Sequence, residues 1–198
     1  MRPFLMIPGA FLLLLSTSGC QGPEAARAEA SVQTLEAQAA PAPDPVERGR
    51  YLVTVAGCND CHTPFKMGPN GPEPDMTRML AGHPQDLPMP PAPAARGPWL
   101  WAGAATNTAF AGPWGVSYAS NLTPEPNTGI GIWTEDLFIK ALRTGRHWGQ
   151  ARPILPPMPW QNYSRMTEED LKALYAYLRT IPPVANSVPE SVPGPPPA

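Results

Sequence analysis

The sequence carries little charge and few cysteines. Charged residues make up 15% of its 198 residues, and the formal net charge is −2 at neutral pH. No cluster of lysines and arginines is present, so the chain lacks the electrostatic footprint of a nucleic-acid-binding protein. Three cysteines are too few for a disulfide framework. The length suits one modest domain.

Proline is the one residue type present in excess, with 30 residues. Most of these prolines lie outside any segment with helical periodicity, so we expect long irregular segments that fold around something that organises them. Apolar runs are short. The longest one, near the start of the chain at residues 4–15, cannot span a bilayer.

The first twenty residues have the layout of a secretory signal. A charge at Arg2 precedes the apolar run at 4–15, and small residues then lead to Cys20. This order predicts export, with residues 1–19 as the signal peptide. Small residues before a cysteine also resemble the lipobox of bacterial lipoproteins, which predicts acylation of Cys20 and a membrane anchor. The alternative is cleavage after residues 28–30, which would discard Cys20.

Two flanking segments have the composition of disordered chain. Residues 20–43 are rich in Ala, Glu, Gln and Pro, and we predict a disordered tether there. Residues 185–198 are rich in proline and are predicted to be a disordered tail for the same reason. The folded domain is therefore expected at residues 44–184.

Two helices can be placed from their periodicity and their end signals. The first is predicted at residues 46–56, where Asp44 is the N-cap and Gly57 ends the helix. The second is predicted to begin at Thr134 and to end at Gly145, with apolar residues on one face.

A third helix and a long irregular segment complete the predicted domain. The helix begins at Thr167, with Asp170 in the acidic position of a capping box, and the prolines at 182–183 end it. Residues 63–133 show no helical period, and their scattered aromatic side chains suit packing around a large planar group. The predicted fold class is mainly α, with about three principal helices and a long irregular Pro/Gly-rich segment.

Residues 58–62 read Cys-Asn-Asp-Cys-His, which is the C-x-x-C-H motif of c-type haem attachment. The thiols of Cys58 and Cys61 would form thioethers with the haem vinyl groups, and His62 would ligate the iron. A thioredoxin-type site would need a preceding strand in a βαβ frame, and a zinc site would need a second pair of ligands. The sequence offers neither, so it predicts one covalent haem c.

Met158 is the predicted second ligand of the haem iron. It lies in Leu-Pro-Pro-Met-Pro-Trp at residues 155–160, where three prolines make a stiff extended segment that presents one thioether. His83 and His147 are the alternative ligands. We expect His147 at the pocket rim or paired with solvent, and His83 on a loop surface.

The remaining pocket candidates are polar or aromatic side chains that could contact the haem: Tyr51, Asn121, Arg143, Arg146, Trp160 and Tyr163. The arginines could pair with haem propionates. The amide, indole and phenol groups among the others could donate hydrogen bonds to a propionate or to the methionine sulfur.

Over roughly residues 45–184 the sequence resembles the class I c-type cytochromes. The resemblance rests on residues 47–52 before the attachment motif and on residues 171–178 after it, which look like the terminal helices of that family. In the family these helices cross where a small residue meets an aromatic one. The resemblance gives these positions to Gly49 and Tyr177 and implies a cytochrome c-like fold wrapped around a haem.

A closer resemblance is to single haem domains in the cytochrome subunits of periplasmic membrane-bound alcohol and aldehyde dehydrogenases. Four segments look like the markers of that group: residues 118–124, 128–134, 141–145 and 157–159. The resemblance implies a relay that accepts electrons from a dehydrogenase and passes them to quinone or another cytochrome. Those subunits carry several C-x-x-C-H motifs, whereas this chain has one.

The expected function is therefore electron transfer by a monohaem cytochrome rather than catalysis. The expected place is the periplasm of a Gram-negative bacterium, at a membrane through a lipid anchor. Expected partners are a periplasmic dehydrogenase and a terminal oxidase or other cytochrome, with no role for nucleic acid. Two alternatives stay open. One is a catalytic haem with an open position, which needs Met158 off the iron, and the other is a binding or assembly lipoprotein whose haem mainly holds the fold together.

Overall fold

The computed structural model describes residues 43–92 and 98–194. The signal peptide predicted for residues 1–19 lies outside the described residues, as do the acylation of Cys20 and all but the last residue of the tether predicted for 20–43. Among the described helices, none is both long enough and apolar enough to cross a membrane.

The first helix, α1 (Pro45–Val55), begins at the predicted cap. The Asp44 carboxylate accepts from two backbone N–H groups at 2.8 and 3.2 Å, which satisfies two of the free donors at the helix start. Gly57 follows with a φ of 68°, a left-handed conformation that glycine adopts without strain. The chain then turns directly into α2 (Cys58–His62). The predicted start and end of the first helix are confirmed.

Helix α3 (Glu135–Thr144) also begins and ends as predicted, with Thr134 as N-cap and Gly145 at a φ of 64° after its last turn. The short helix α4 (Trp160–Tyr163) follows the proline-rich segment. The ring of Trp160 packs against Gly145, where a Cβ would lie 2.3 Å from the indole. The same glycine therefore ends α3 and admits α4.

Helix α5 (Glu168–Leu178) begins at Thr167, whose Oγ1 accepts from the backbone N–H of Asp170 at 3.1 Å. The Asp170 carboxylate accepts from Nε of Arg48 at 2.8 Å. Only the threonine half of the predicted capping box is therefore formed, and the acid links α5 to α1 instead.

Helices α1 and α5 cross at Gly49. A Cβ at this position would lie 1.9 Å from the carbonyl oxygen of Ala173 and 2.7 Å from Cβ of Tyr177. The two backbones can approach this closely only because position 49 has no side chain. The contact between Gly49 and Tyr177 that the family resemblance implies is confirmed.

The hydrophobic core lies among α1, α3 and α5 and the loops between them. Its larger members are Leu52, Val53, Leu80, Ile130, Phe138, Leu142, Leu171, Leu174 and Leu178. The partly buried side chains of Cys58, Met158 and Tyr163 pack against this core. The core thus supports the predicted attachment motif from one side.

Within the described residues, short antiparallel strands form two small sheets. The first is a hairpin of β1 (Phe65–Gly68) and β2 (Gly71–Pro74). The second has the order β3–β4–β5–β6 and is built from β3 (Ala102–Gly103), β4 (Ala109–Gly112), β5 (Gly115–Tyr118) and β6 (Val192–Pro193).

These sheets correct the prediction of a mainly α fold with an irregular segment at residues 63–133. The described part of that segment, 63–92 and 98–133, contains five strands of two to four residues and a 3₁₀ turn at Met76–Arg78. Each of these strands is too short to show an alternating pattern, and each contains a glycine, which disfavours strands. The three principal helices are as predicted, and the fold is mixed.

The predicted disordered tail, residues 185–198, also needs correction as far as residue 194. Asn186 is buried, with 1% of its surface exposed, and Val192 pairs with Val116 of β5. A polar, proline-rich composition did not prevent this order because the side chain of Asn186 and the strand pairing supply partners from distant parts of the chain. Residues 195–198 lie outside the described part.

Candidate functional site

A cavity of about 420 Å³ lies beside the predicted attachment motif. Its wall contains Cys58, Cys61 and His62, together with Met158 from a segment almost a hundred residues later. The volume lies within the range of roughly 300–1,000 Å³ that is usual for cofactor sites. The fold therefore brings the four residues with predicted covalent or ligand roles to one cavity.

Both thiols lie on the single turn of α2. Burial raises the pKa of Cys58 to about 11 and also raises the pKa of Cys61. The negative charge of the Asp60 carboxylate raises the pKa of Cys61 by a smaller amount. The thiols are therefore neutral at pH 7. Neutral sulfur in an apolar wall suits a thioether to a haem vinyl group better than it suits an exposed reactive thiolate.

The imidazole of His62 is held in a defined orientation. The side chain is 7% exposed, and its Nδ1 lies 2.8 Å from the carbonyl oxygen of Ser120. Because a carbonyl only accepts, Nδ1 donates, and the unprotonated Nε2 remains as the nitrogen that can ligate a metal. Burial lowers the pKa of His62, which keeps the ring neutral. Metal-ligating histidines usually donate the hydrogen of their other ring nitrogen to a carbonyl or carboxylate in this way, which fixes the orientation of the ring.

Met158 is the one methionine of the described residues that lines the cavity. Its segment is tied to the sheet, because Oγ of Ser117 in β5 donates to the carbonyl of Pro156 at 2.6 Å. Its own carbonyl accepts from the backbone N–H of Trp160 at 2.9 Å. Other methionines such as Met67, 78% exposed, lie elsewhere. The position of Met158 suits its predicted role as the second iron ligand.

The two alternative histidines differ from each other. His147 lines the cavity, half-buried, with its ring centroid 5.2 Å from that of Trp133, and burial lowers its pKa. This agrees with the expected rim position. His83 is fully buried, and its two ring nitrogens bond to Oγ1 of Thr108 (2.9 Å) and to the carbonyl of Leu87 (3.0 Å). The expectation of a surface position for His83 was wrong, because its loop folds inward.

The family model described as cytochrome c matches residues 46–182. The chain belongs to the cytochrome c family. This membership confirms the predicted class, an electron-transfer protein with covalent haem rather than a catalyst. The cavity with its C-x-x-C-H turn is where such a protein would hold its haem.

Several relatives are cytochrome subunits of dehydrogenases. The fructose dehydrogenase cytochrome subunit of Gluconobacter japonicus is 33% identical over 135 residues, 68% of this chain and 21% of that protein. The gluconate 2-dehydrogenase cytochrome c subunit of Pantoea cypripedii is 33% identical over 143 residues, 72% of this chain and 24% of that protein.

The cytochrome c subunit of the quinone-dependent alcohol dehydrogenase of Gluconobacter oxydans is 29% identical over 148 residues, 73% of this chain and 24% of that protein. The predicted resemblance to cytochrome subunits of such dehydrogenases is thereby confirmed. The chain spans about a fifth to a quarter of the length of these relatives.

Two further predicted pocket residues of this cytochrome line the cavity. The hydroxyl of Tyr163 donates to the carbonyl of Ala56 at 2.8 Å, and burial raises its pKa to about 12. The amide of Asn121 donates to the carbonyl of Val184 at 2.8 Å and accepts from the backbone N–H of Thr123 at 3.0 Å. Both polar groups therefore order the chain around the cavity.

Four predicted pocket residues do not line the cavity: Tyr51, Arg143, Arg146 and Trp160. Tyr51 is 55% exposed on α1. The two arginines donate to the backbone carbonyls of Ser164 and Ala151. Trp160 packs on Gly145. The contacts of the two arginines and of Trp160 hold together the elements that carry the site.

Arg152 lines the cavity and was not predicted. Its Nε lies 3.4 Å from the carboxylate of Glu190. Its position in the sequence could have indicated this role, because Arg152 lies in the loop between α3 and the segment of Met158. The sequence also did not indicate which aromatic residues of 63–133 reach the cavity. Phe110 lines it, whereas Trp99 is 74% exposed.

Proposed function

We propose that this cytochrome carries one haem c, bonded through Cys58 and Cys61 and ligated by His62 and Met158, and passes single electrons in the periplasm. The observation that carries the proposal is the composition of one cavity wall. It holds both cysteines, a buried imidazole whose Nδ1 is engaged by Ser120, and one methionine. The iron of the haem, when bound, supplies the change between ferrous and ferric states.

The residues of the chain would keep both ligands in place during electron transfer. The carbonyl of Ser120 orients the imidazole, and the hydrogen bond from Ser117 to Pro156 holds the methionine segment against the sheet. Ligands that keep their positions in both oxidation states lower the reorganisation that accompanies each transfer. This arrangement suits a carrier better than a catalytic haem with an open position, for which Met158 would have to move away.

The apolar wall would set the redox potential. Phe110 and Ile130 are 4% and 3% exposed, and both line the cavity with Leu142. An apolar environment disfavours the more highly charged ferric state, and a thioether ligand favours the ferrous state. We therefore expect a midpoint potential higher than that of a cytochrome of this family with two histidine ligands.

The proposed donor is a periplasmic dehydrogenase, and the proposed acceptor is a terminal oxidase or another cytochrome. The relatives named as cytochrome subunits of fructose, gluconate and alcohol dehydrogenases support the donor. The residue pattern at 1–20 supports export and a lipid anchor at Cys20. An anchor would concentrate the haem near membrane-bound partners.

Exchange of the methionine tests the proposed ligation. Met158→His should abolish the sulfur-to-iron charge-transfer band of the oxidised protein and lower its midpoint potential, because imidazole replaces a thioether. Met67→His is the matched control, since Met67 is 78% exposed, and it should leave both properties unchanged. Retention of the band in Met158→His would assign the second ligand to another residue.

A further inference from the structure

The chain continues past its last helix and past the residues that match the family model, which end at 182. Residues 184–194, here called the C-terminal strap, turn back along the molecule. The strap is anchored near its start by Asn186 and near its end by Val192 and Pro193 of β6.

Asn186 is the first anchor. Its Nδ2 donates to the carbonyls of Ala81 (2.7 Å) and His83 (2.9 Å), and its Oδ1 accepts from the backbone N–H of Gln85 (2.9 Å). Its own backbone N–H donates to Oγ1 of Thr128 at 3.1 Å. The side chain is 1% exposed, so its removal would leave buried backbone groups without partners.

The second anchor is the pairing of β6 with β5. Val192 pairs with Val116, and Pro193 pairs with Gly115. Gly115 has a φ of 100°, and a Cβ there would lie 2.0 Å from the carbonyl oxygen of Val192. The strap therefore fits against a position of β5 that only glycine can occupy.

The five residues between the anchors, 187–191, form part of the wall of the cavity that holds Cys58 and His62. Ser187, Pro189 and Glu190 are exposed, and Val188 and Ser191 are partly exposed, so residues that line the cavity also face solvent. Glu190 of the strap forms an ion pair with Arg152, which lies on the loop that leads to Met158, and both residues line the cavity. This exposed pair adds little stability, and the two anchors hold the strap.

We propose that the C-terminal strap is a cover of the haem cavity and that Asn186 is the positioning residue that keeps it closed. The inference rests on the proposed function, because a cover matters only with a haem in the cavity. With both ends held, the strap limits the access of water and small solutes to the haem. It thereby keeps the potential high and slows the binding of foreign ligands to the iron.

The test compares four haem-loaded proteins. Three are full-length, namely the unmodified protein, Asn186→Ala and Asn70→Ala, and the fourth lacks residues 185–198. Asn70 is an exposed asparagine in the turn between β1 and β2 and serves as the matched control. The measurements are the rate of cyanide binding to the oxidised protein and the midpoint potential. Both strap variants should bind cyanide about tenfold faster or more and have lower potentials, while Asn70→Ala should behave as the unmodified protein.

Unchanged cyanide rates and unchanged potentials in both strap variants would overturn the cover. Hydrogen exchange of the unmodified protein decides the matter if the variants do not fold. The backbone amides of Asn186 and Gly194, which donate to Thr128 and Trp114, should be protected, and exchange at the rate of an open chain would also overturn it. Absence of covalent haem from the unmodified protein would instead refute the proposed function.

Discussion

Gly49→Ala tests the crossing of α1 and α5 that supports the proposed haem site. The added methyl group would lie 1.9 Å from the carbonyl oxygen of Ala173 and 2.7 Å from Cβ of Tyr177. The nearer obstacle is backbone, which cannot rotate away as a flexible side chain can. The helices must therefore separate by about 1.5 Å to reach the 3.4 Å of an ordinary contact.

Two effects of opposite sign decide the outcome. Alanine in the middle of a helix is favoured over glycine by about 1 kcal/mol. Overpacking costs about 1–3 kcal/mol when neighbours can shift, and the separation of two helix backbones loosens contacts along the whole crossing. We expect packing to dominate, because a cost at the upper end of that range, less the gain in helix propensity, leaves a net loss of about 2 kcal/mol in the free energy of unfolding.

The assay is thermal or denaturant unfolding of the haem-loaded protein. For a domain of this size the expected loss corresponds to a Tm lower by about 6 °C. Gly103→Ala is the matched control, because a Cβ there would meet its nearest atom at 3.5 Å, an ordinary contact. A Gly49→Ala protein as stable as the unmodified one, or more stable, would refute the close crossing, since propensity alone would then explain the result.

Two further substitutions test individual contacts. Ser117→Ala removes the hydrogen bond to Pro156, and we expect a loss of about 1 kcal/mol and a charge-transfer band that disappears at a lower temperature in thermal spectroscopy. Hydrogen bonds from the side chain of Thr128, and then from neighbouring backbone N–H groups, lower the pKa of Glu125 below its ordinary 4.5. The stabilisation of the fold by this carboxylate is therefore present above pH 4.5 and is lost as the pH falls through the folded-state pKa. Glu125→Gln should therefore show a smaller fall in Tm between pH 7 and pH 3, and an equal fall would contradict this.

The parts of the fold that could be predicted depend on local signals. The caps at Asp44, Thr134 and Thr167 and the stops at Gly57 and Gly145 act within a few residues of the helices they bound, and all five are in place. The attachment motif is equally local. These features need no knowledge of what the rest of the chain does.

The parts that could not be predicted depend on distant contacts. Strand β6 exists because Val192 meets Val116, and the order at Asn186 depends on the carbonyls of Ala81 and His83. No composition or period within residues 185–194 encodes those partners. The burial of His83 has the same origin, since it depends on Thr108 in another loop.

The site shows the same division. Cys58, Cys61 and His62 could be proposed because one motif contains them, and the proline-rich setting singled out Met158, which lies in the same cavity wall. The direction of a single long side chain was not predictable. Arg143 turns toward α4, while Arg152 reaches the cavity.

The most direct measurement of the central claim is the mass of the peptide that spans residues 58–62, released by proteolysis from mature exported protein. We predict that this peptide carries the mass of one haem, and that a protein with Cys58→Ser and Cys61→Ser lacks it. An unmodified peptide from correctly exported protein would contradict the assignment of this cavity as a covalent haem site.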